Sequence, residues 1–192
     1  MPNGETLKAV TRINICSFFS RMRRIDRLSA ETRNRTGEGQ VASISQQNPV
    51  RVFVAHAFEP SQDYLRVFEY LECSHNFYYR NCSDPERKVI EADVIKEELR
   101  RQINLAEVVI VPAAMYRAHR ETIDFILNCA KGLDKRIVVL ETFGVKEKLP
   151  VQLEALGDEI IEWNERTIAD AIRRQARHED TARWDVVEFK LD

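Results

Sequence analysis

From residue 51 onward, short apolar runs alternate with longer stretches in which apolar residues recur every three or four positions. That alternation constrains the fold more than any other feature of the chain. The strand candidates are Val52 to Ala55, Phe77 to Arg80, Val108 to Pro112, Arg136 to Glu141 and Glu159 to Trp163. Helical spacing occupies Gln62 to Glu72, Glu91 to Asn104, Ala118 to Leu133 and Thr167 to Ala176, with a shorter helix around Pro150 to Leu156. Strands separated by helices must lie parallel, with both faces of the sheet covered. The expected fold is therefore a three-layer α/β sandwich around a five-stranded parallel sheet. Short right-handed crossovers make the flavodoxin-like order 2-1-3-4-5 the simplest topology.

Such a sheet binds ligands at the carboxyl ends of its strands. The clearest strand-helix-strand unit runs from Val108 to Gly144, which puts any site near Ala113 to His119 and Glu141 to Gly144. No GxxxxGK[ST] and no GxGxxG follows the first strand, which argues against a P-loop NTPase, a kinase or a Rossmann dehydrogenase.

Composition narrows the alternatives. A chain of 192 residues holds one ordinary domain and an extension. The net charge of -2 supplies no global positive field, so nucleic acid is not an expected partner. Four cysteines, Cys16, Cys73, Cys82 and Cys129, show no CxxC pair and no metal-finger spacing. They read as small buried hydrophobes in a reducing cytoplasm, and no metal site is expected. No apolar run approaches the ~20 residues that span a bilayer, and the N-terminus lacks the order of a secretory signal.

The composition shifts near residue 50, after the Asn-, Thr-, Gly-, Ser- and Gln-rich stretch from Thr32 to Asn48. The expected organisation is an N-terminal extension and polar linker over residues 1–49, a domain over 50–177 and a tail over 178–192. Within the extension, Leu7 to Leu28 mixes apolar residues with arginines and could form a basic amphipathic helix. Membrane-surface contact is the sharper reading. A docked helix, or an upstream stretch that is not normally translated, is preferred because the apolar positions keep no clean face. In the tail, Trp184 to Phe189 alternates as a short edge strand does.

Several strings, in order, resemble one family. Arg51-Val52-Phe53-Val54-Ala55-His56-Ala57-Phe58 is similar to the "VFISHSW" opening of the TIR-like proteins of Thoeris antiphage systems, and Asp63-Tyr64 follows at the usual place. Phe77-Tyr78-Tyr79-Arg80-Asn81-Cys82-Ser83-Asp84-Pro85-Glu86 resembles that family's "FDFRNYSVPE". Ile95 to Ile103, Val109-Ile110-Val111 with Met115-Tyr116, Ile160 to Asn164 and Ile168 to Arg173 continue the resemblance over residues 50 to 177. It implies a TIR-like fold and a cytoplasmic protein of NAD-linked signalling, in which NAD is a substrate rather than a resident cofactor. It also implies a modified or cyclic ADP-ribose product, a downstream effector protein as partner, and self-assembly into a homo-oligomer.

Cleaving the bond between nicotinamide and ribose develops oxocarbenium charge, which a carboxylate near the ribose offsets. In TIR enzymes that group is a Glu on the helix after the third strand, within a "WIxYEI" string. A gapless alignment from Met115-Tyr116 to Ala130 puts Ile126 at the Glu position. The usual carboxylate is absent. Asp124 is the candidate replacement, although at about 100° per residue it points roughly 200° away from residue 126, and Glu121 roughly 140° away. A two-residue slip with an altered helix start would bring Asp124 into place. The alternative is a module that has lost catalysis and binds a nucleotide or a partner.

The other candidate nucleotide-binding residues follow from their places at strand ends. His56 could contact a phosphate or order its loop by hydrogen bonding. The loop from Asn81 to Lys88 brings Asp84, Glu86 and Arg87, either as a gating or assembly loop or as a solvated one. His119 and Arg120 open a helix, where an anion such as pyrophosphate is favoured. Phe58, Tyr116 and Phe143 are read as an apolar wall for a base, against a plain core role. Trp163 and Asn164 are expected to pack and turn the chain.

Overall fold

The computed structural model divides the chain into two units, Met1–Gly39 and Gln40–Asp192, and describes residues 43–87 and 92–179, all in the second. The readings made for Leu7 to Leu28 and for Trp184 to Phe189 lie outside the described residues.

Five strands form one sheet: β1 (Val50–Val54), β2 (Tyr79–Asn81), β3 (Val108–Pro112), β4 (Arg136–Leu140) and β5 (Glu159–Ile161). All neighbours pair in parallel, in the order β2-β1-β3-β4-β5. This is the expected flavodoxin-like arrangement. The apolar runs are nearly continuous in the central strands because both faces of the sheet are covered. Val52, Val54, Val108, Ile110, Val138 and Leu140 face one core, and Phe53, Val109, Val111, Ile137 and Val139 face the other.

The first core is closed by α1 (Gln62–Cys73) and α6 (Glu165–Arg177), and the second by α2 (Ala92–Leu105), α3 (Ala113–Ala118), α4 (Arg120–Gly132) and α5 (Val151–Leu156). Local chemistry sets several helix ends. Ser61 Oγ accepts from Tyr64 N–H to cap α1, and Asn164 Oδ1 accepts from Arg166 and Thr167 N–H to cap α6. Trp163 donates its indole N–H to Glu141 O at 2.5 Å, so the pair Trp163-Asn164 packs and turns the chain as expected. At the α5 to β5 turn, a Cβ on Gly157 would lie 2.7 Å from Leu153 O, so only glycine lets the backbone approach this closely.

Two expectations need correction. The stretch from Ala113 to His119, read as the loop after the third strand, begins with a helix, α3, and the helix read from Ala118 to Leu133 is α4, which starts at Arg120 after a break at His119 (φ -136°, ψ 50°). Apolar periodicity continues across the break, so it left no trace in the pattern. Cys73 is exposed rather than buried, while Cys82 and Cys129 are half-buried, and all three are free thiols. Among the described residues there is no group of potential metal ligands, and no helix is long and apolar enough to cross a membrane.

Candidate functional site

In this strand order the chain reverses direction of growth between β1 and β3, so the loops leaving those strands flank a crevice. The β1 loop is held from below by His56, which is completely buried. Its Nδ1 accepts from Phe58 N–H at 3.2 Å, which makes Nε2 the protonated nitrogen, donating to Gln102 Oε1 at 3.0 Å. Burial lowers the His56 pKa, against the opposing pull of the Gln102 bond and the Asp84 and Glu98 charges. The imidazole is neutral, and both nitrogens are committed. Of its two readings, the geometry gives His56 the ordering of its loop. Phe58, whose ring stands edge-on to His56, is held at φ 58°, a left-handed conformation that a bulky residue adopts only under constraint.

The same bonds reach the loop after β2. Gln102 Oε1 also accepts from Asp84 N–H at 2.9 Å, and Gln102 Nε2 donates to Glu98 Oε1 at 2.9 Å. Glu98 in turn takes a bidentate fork from Arg101 (3.0 and 2.6 Å) and an ion pair from Arg87 at 3.1 Å. The Arg101 fork holds the Glu98 carboxyl below its usual range despite burial, helped by Gln102 and Arg87. At the exit of β2, Asn81 Oδ1 accepts from Ser83 N–H at 2.9 Å, and Asn81 Nδ2 donates to Tyr64 Oη at 3.0 Å. Residues 81–84 are therefore anchored, although the Asp84 and Glu86 side chains face solvent. Neither Gln102 nor Glu98 was singled out from the sequence. A signal existed: Gln102 lies in phase with Leu99 and Ile103 on the buried face of α2, and a buried amide must find partners.

On the other side of the crevice, the β3 loop and α4 bring together Tyr116, His119, Arg120 and Asp124. His119 Nε2 lies 3.2 Å from Glu59 Oε1 and so ties the β3 loop to the β1 loop. Along α4, Ile123, Ile126, Leu127 and Ala130 are buried, Glu121 is exposed, and Asp124 is half-buried with its side chain 34% exposed. Arg120 Nε stands 3.7 Å from Asp124 Oδ2, one helical turn away, and its guanidinium lies 5.9 Å over the Tyr116 ring. Tyr116 is buried, and its hydroxyl lies against the Asp124 carboxylate and the Arg120 guanidinium. Burial, with Asp124 alongside, raises the pKa of that hydroxyl. Of the two acids weighed on this helix, Asp124 is therefore the one set against the crevice residues.

Phe143 does not join them. Its ring packs edge-on to Trp163 at 5.7 Å, with the Arg66 guanidinium 3.8 Å above it, on the side of α1 and β5. Among the described residues no ring contact links Phe58, Tyr116 and Phe143, so the expected aromatic wall is not assembled. Within the loop after β4, Phe143 is thus set toward the β5 side. Further along that loop, Glu147 reaches Arg117 of α3 at 2.6 Å and accepts from Thr142 Oγ1 at 2.6 Å.

Fold and site define a class: a parallel three-layer α/β protein with polar side chains gathered at the carboxyl ends of β1, β2 and β3. No family model matches the chain, and no curated protein matches it. Among solved structures it is similar to a de novo designed Rossmann 2x3 fold protein at 12% identity, over 73% of this chain and 98% of that one, with a TM-score of 0.39. It is similar to the CMP N-glycosidase of Clostridium botulinum at 15% identity, over 64% of this chain and 96% of that one, TM-score 0.38. A diflavin flavoprotein from a Nostoc species aligns at 15% identity over 71% of this chain and 91% of its own, TM-score 0.35. Likeness at this level bears on neither ligand nor activity, and the fold assignment stands on the strand order itself.

Proposed function

We propose that the protein is a TIR-like module of NAD-linked nucleotide signalling, of the kind that serves bacterial antiphage defence, and that the β1/β3 crevice takes NAD or a related nucleotide. One observation carries this reading: a half-buried carboxylate, Asp124, stands beside a buried Tyr116 hydroxyl and the cationic Arg120 at the carboxyl end of β3. The ordered strings shared with Thoeris TIR-like proteins supply the choice of NAD. In the reaction, the C–N bond between nicotinamide and the ribose anomeric carbon breaks, and nicotinamide leaves with the electron pair. Water, or a hydroxyl or ring nitrogen of the same molecule, then adds to that carbon, giving ADP-ribose or a cyclic form. Asp124 would accept hydrogen bonds from the ribose hydroxyls and offset the developing positive charge. α4 starts at Arg120, directly after the break at His119, and so carries Asp124 in its second turn. Signalling to an effector protein, and assembly of several copies, belong to the same proposal.

A second reading has its own support. Ile126, at the expected Glu position, is buried among apolar residues, and Arg120 already neutralises Asp124. On this reading the crevice binds a nucleotide or a partner without cleaving it. Incubating the protein with NAD over a concentration series that permits assembly, with products separated by mass spectrometry, decides between them. Release of nicotinamide with an ADP-ribose product, lost in Asp124→Asn at unchanged stability, supports the enzyme. Intact NAD at every concentration supports the binding module, and failure to bind NAD as well removes both.

A further inference from the structure

Gln102 is completely buried on α2, and both ends of its amide face groups that have no choice of role. Its Oε1 lies 2.9 Å from Asp84 N, a peptide N–H that can only donate. Its Nε2 lies 2.9 Å from Glu98 Oε1, a carboxylate oxygen that can only accept. The amide is thus oriented by the loop after β2 and by Glu98, whatever the imidazole does. The atom it presents to His56 Nε2, at 3.0 Å, is therefore the acceptor Oε1. A neutral imidazole that meets an acceptor at Nε2 carries its proton there and keeps the lone pair on Nδ1. That lone pair holds Phe58 N–H at 3.2 Å, in a turn whose φ of 58° a bulky residue adopts only under constraint.

We infer that Gln102 is a positioning residue for the β1 loop: it selects the tautomer of His56 and, through the ring, sets the turn at Phe58. The opposite tautomer would put a ring N–H against Phe58 N–H and leave Gln102 Oε1 facing a lone pair. Both contacts would be repulsive, in a place where water cannot relieve them. A single oxygen therefore sets two loops, that after β2 through Asp84 N–H and that after β1 through His56. The loop at the edge strand and the turn beside β3 are joined by chemistry rather than by contact. The inference holds whatever the crevice binds, so its test needs no nucleotide, and its failure leaves the nucleotide reading untouched.

The test compares the full-length wild type, Gln102→Met and His56→Gln at pH 8, where an ordinary imidazole is neutral. Nitrogen-15 NMR of the imidazole reads the tautomer, and amide hydrogen exchange at Phe58 and Asp84, taken relative to the amides of β3, separates a local change from a general loss of stability. The wild type should show one His56 tautomer, protonated at Nε2. Gln102→Met should give a mixture of tautomers and speed exchange at both Phe58 and Asp84 about tenfold, the size of one hydrogen bond. In His56→Gln the new amide can still reach Gln102 but offers nothing in place of Nδ1, so Phe58 alone should exchange faster. A wild-type His56 protonated at Nδ1 would overturn the inference. So would a Gln102→Met protein that keeps the unmixed tautomer or the protection of Phe58, since a purely structural Gln102 would leave both in place. Phe58 still protected in His56→Gln would overturn it as well, and this result and the wild-type spectrum decide the matter even if Gln102→Met does not fold.

Discussion

Replacing Ile126 with Glu puts the carboxylate of the TIR catalytic string into this chain, and the structure predicts that the result is a severely destabilised protein rather than a restored enzyme. Ile126 is fully buried, on the face of α4 that also presents Ile123, Leu127 and Ala130 to the sheet. Losing the burial of an isoleucine side chain costs about 3 kcal/mol. A carboxyl buried there without partners costs about 1–3 kcal/mol more. Burial also forces the Glu to stay neutral, and protonating a carboxyl of ordinary pKa at pH 7 adds about 3.7 kcal/mol. The total, about 8–10 kcal/mol, rivals the whole stability of an ordinary domain, about 5–15 kcal/mol.

The ionisation part carries its own signature. The folded pKa of this Glu would be raised, so the penalty grows with pH above the unfolded value, and moving from pH 7 to pH 5 should return about 2.7 kcal/mol relative to wild type. Urea unfolding of wild type, Ile126→Glu and Ile126→Met, followed by far-UV circular dichroism at both pH values, reads these terms directly. Ile126→Met should stay within about 1.5 kcal/mol of wild type. An Ile126→Glu protein as stable as wild type at pH 7 would refute the reasoning, because residue 126 would then reach water and α4 would be rotated from the register described.

Two further outcomes follow from buried polar groups. Burial holds His56 neutral with a lowered pKa, so the unfolded chain takes up a proton that the folded chain does not once the pH falls below about 6.5; stability should be full above that value and decline below it by at most about 1.4 kcal/mol per pH unit. Unfolding free energies from pH 8 to 5 should show this slope, and His56→Leu, although less stable overall, should flatten it; an equal slope in the variant would place the proton elsewhere. Asp158, which is half-buried, accepts from Lys131 at 2.7 Å, Ile137 N–H at 2.7 Å and Arg136 at 3.1 Å, and these bonds outweigh the opposing effect of desolvation to lower its pKa. Asp158→Ala should cost about 1–3 kcal/mol at pH 7, and the loss should shrink as the pH falls below about 4, where the unfolded chain takes up a proton that folded Asp158 still resists; a loss independent of pH would contradict the charge-assisted bonding.

The sequence by itself determined the layers and the strand order. Apolar runs at Val108 to Pro112 and Arg136 to Leu140 are long enough and flanked closely enough by helical spacing to force parallel pairing, and handedness then leaves one simple order. The tertiary structure decided what these elements do to one another. His56 meets Gln102 across 46 positions of sequence, and no local pattern records which partner a buried imidazole will find. The break at His119 is likewise invisible to periodicity, since α3 and α4 each keep apolar residues toward the same core. Phe143 was placed with Tyr116 because both follow strands, and it went instead to Trp163 and Arg66. Periodicity records which side of an element avoids water, whereas a site depends on which loops the packed sheet brings side by side.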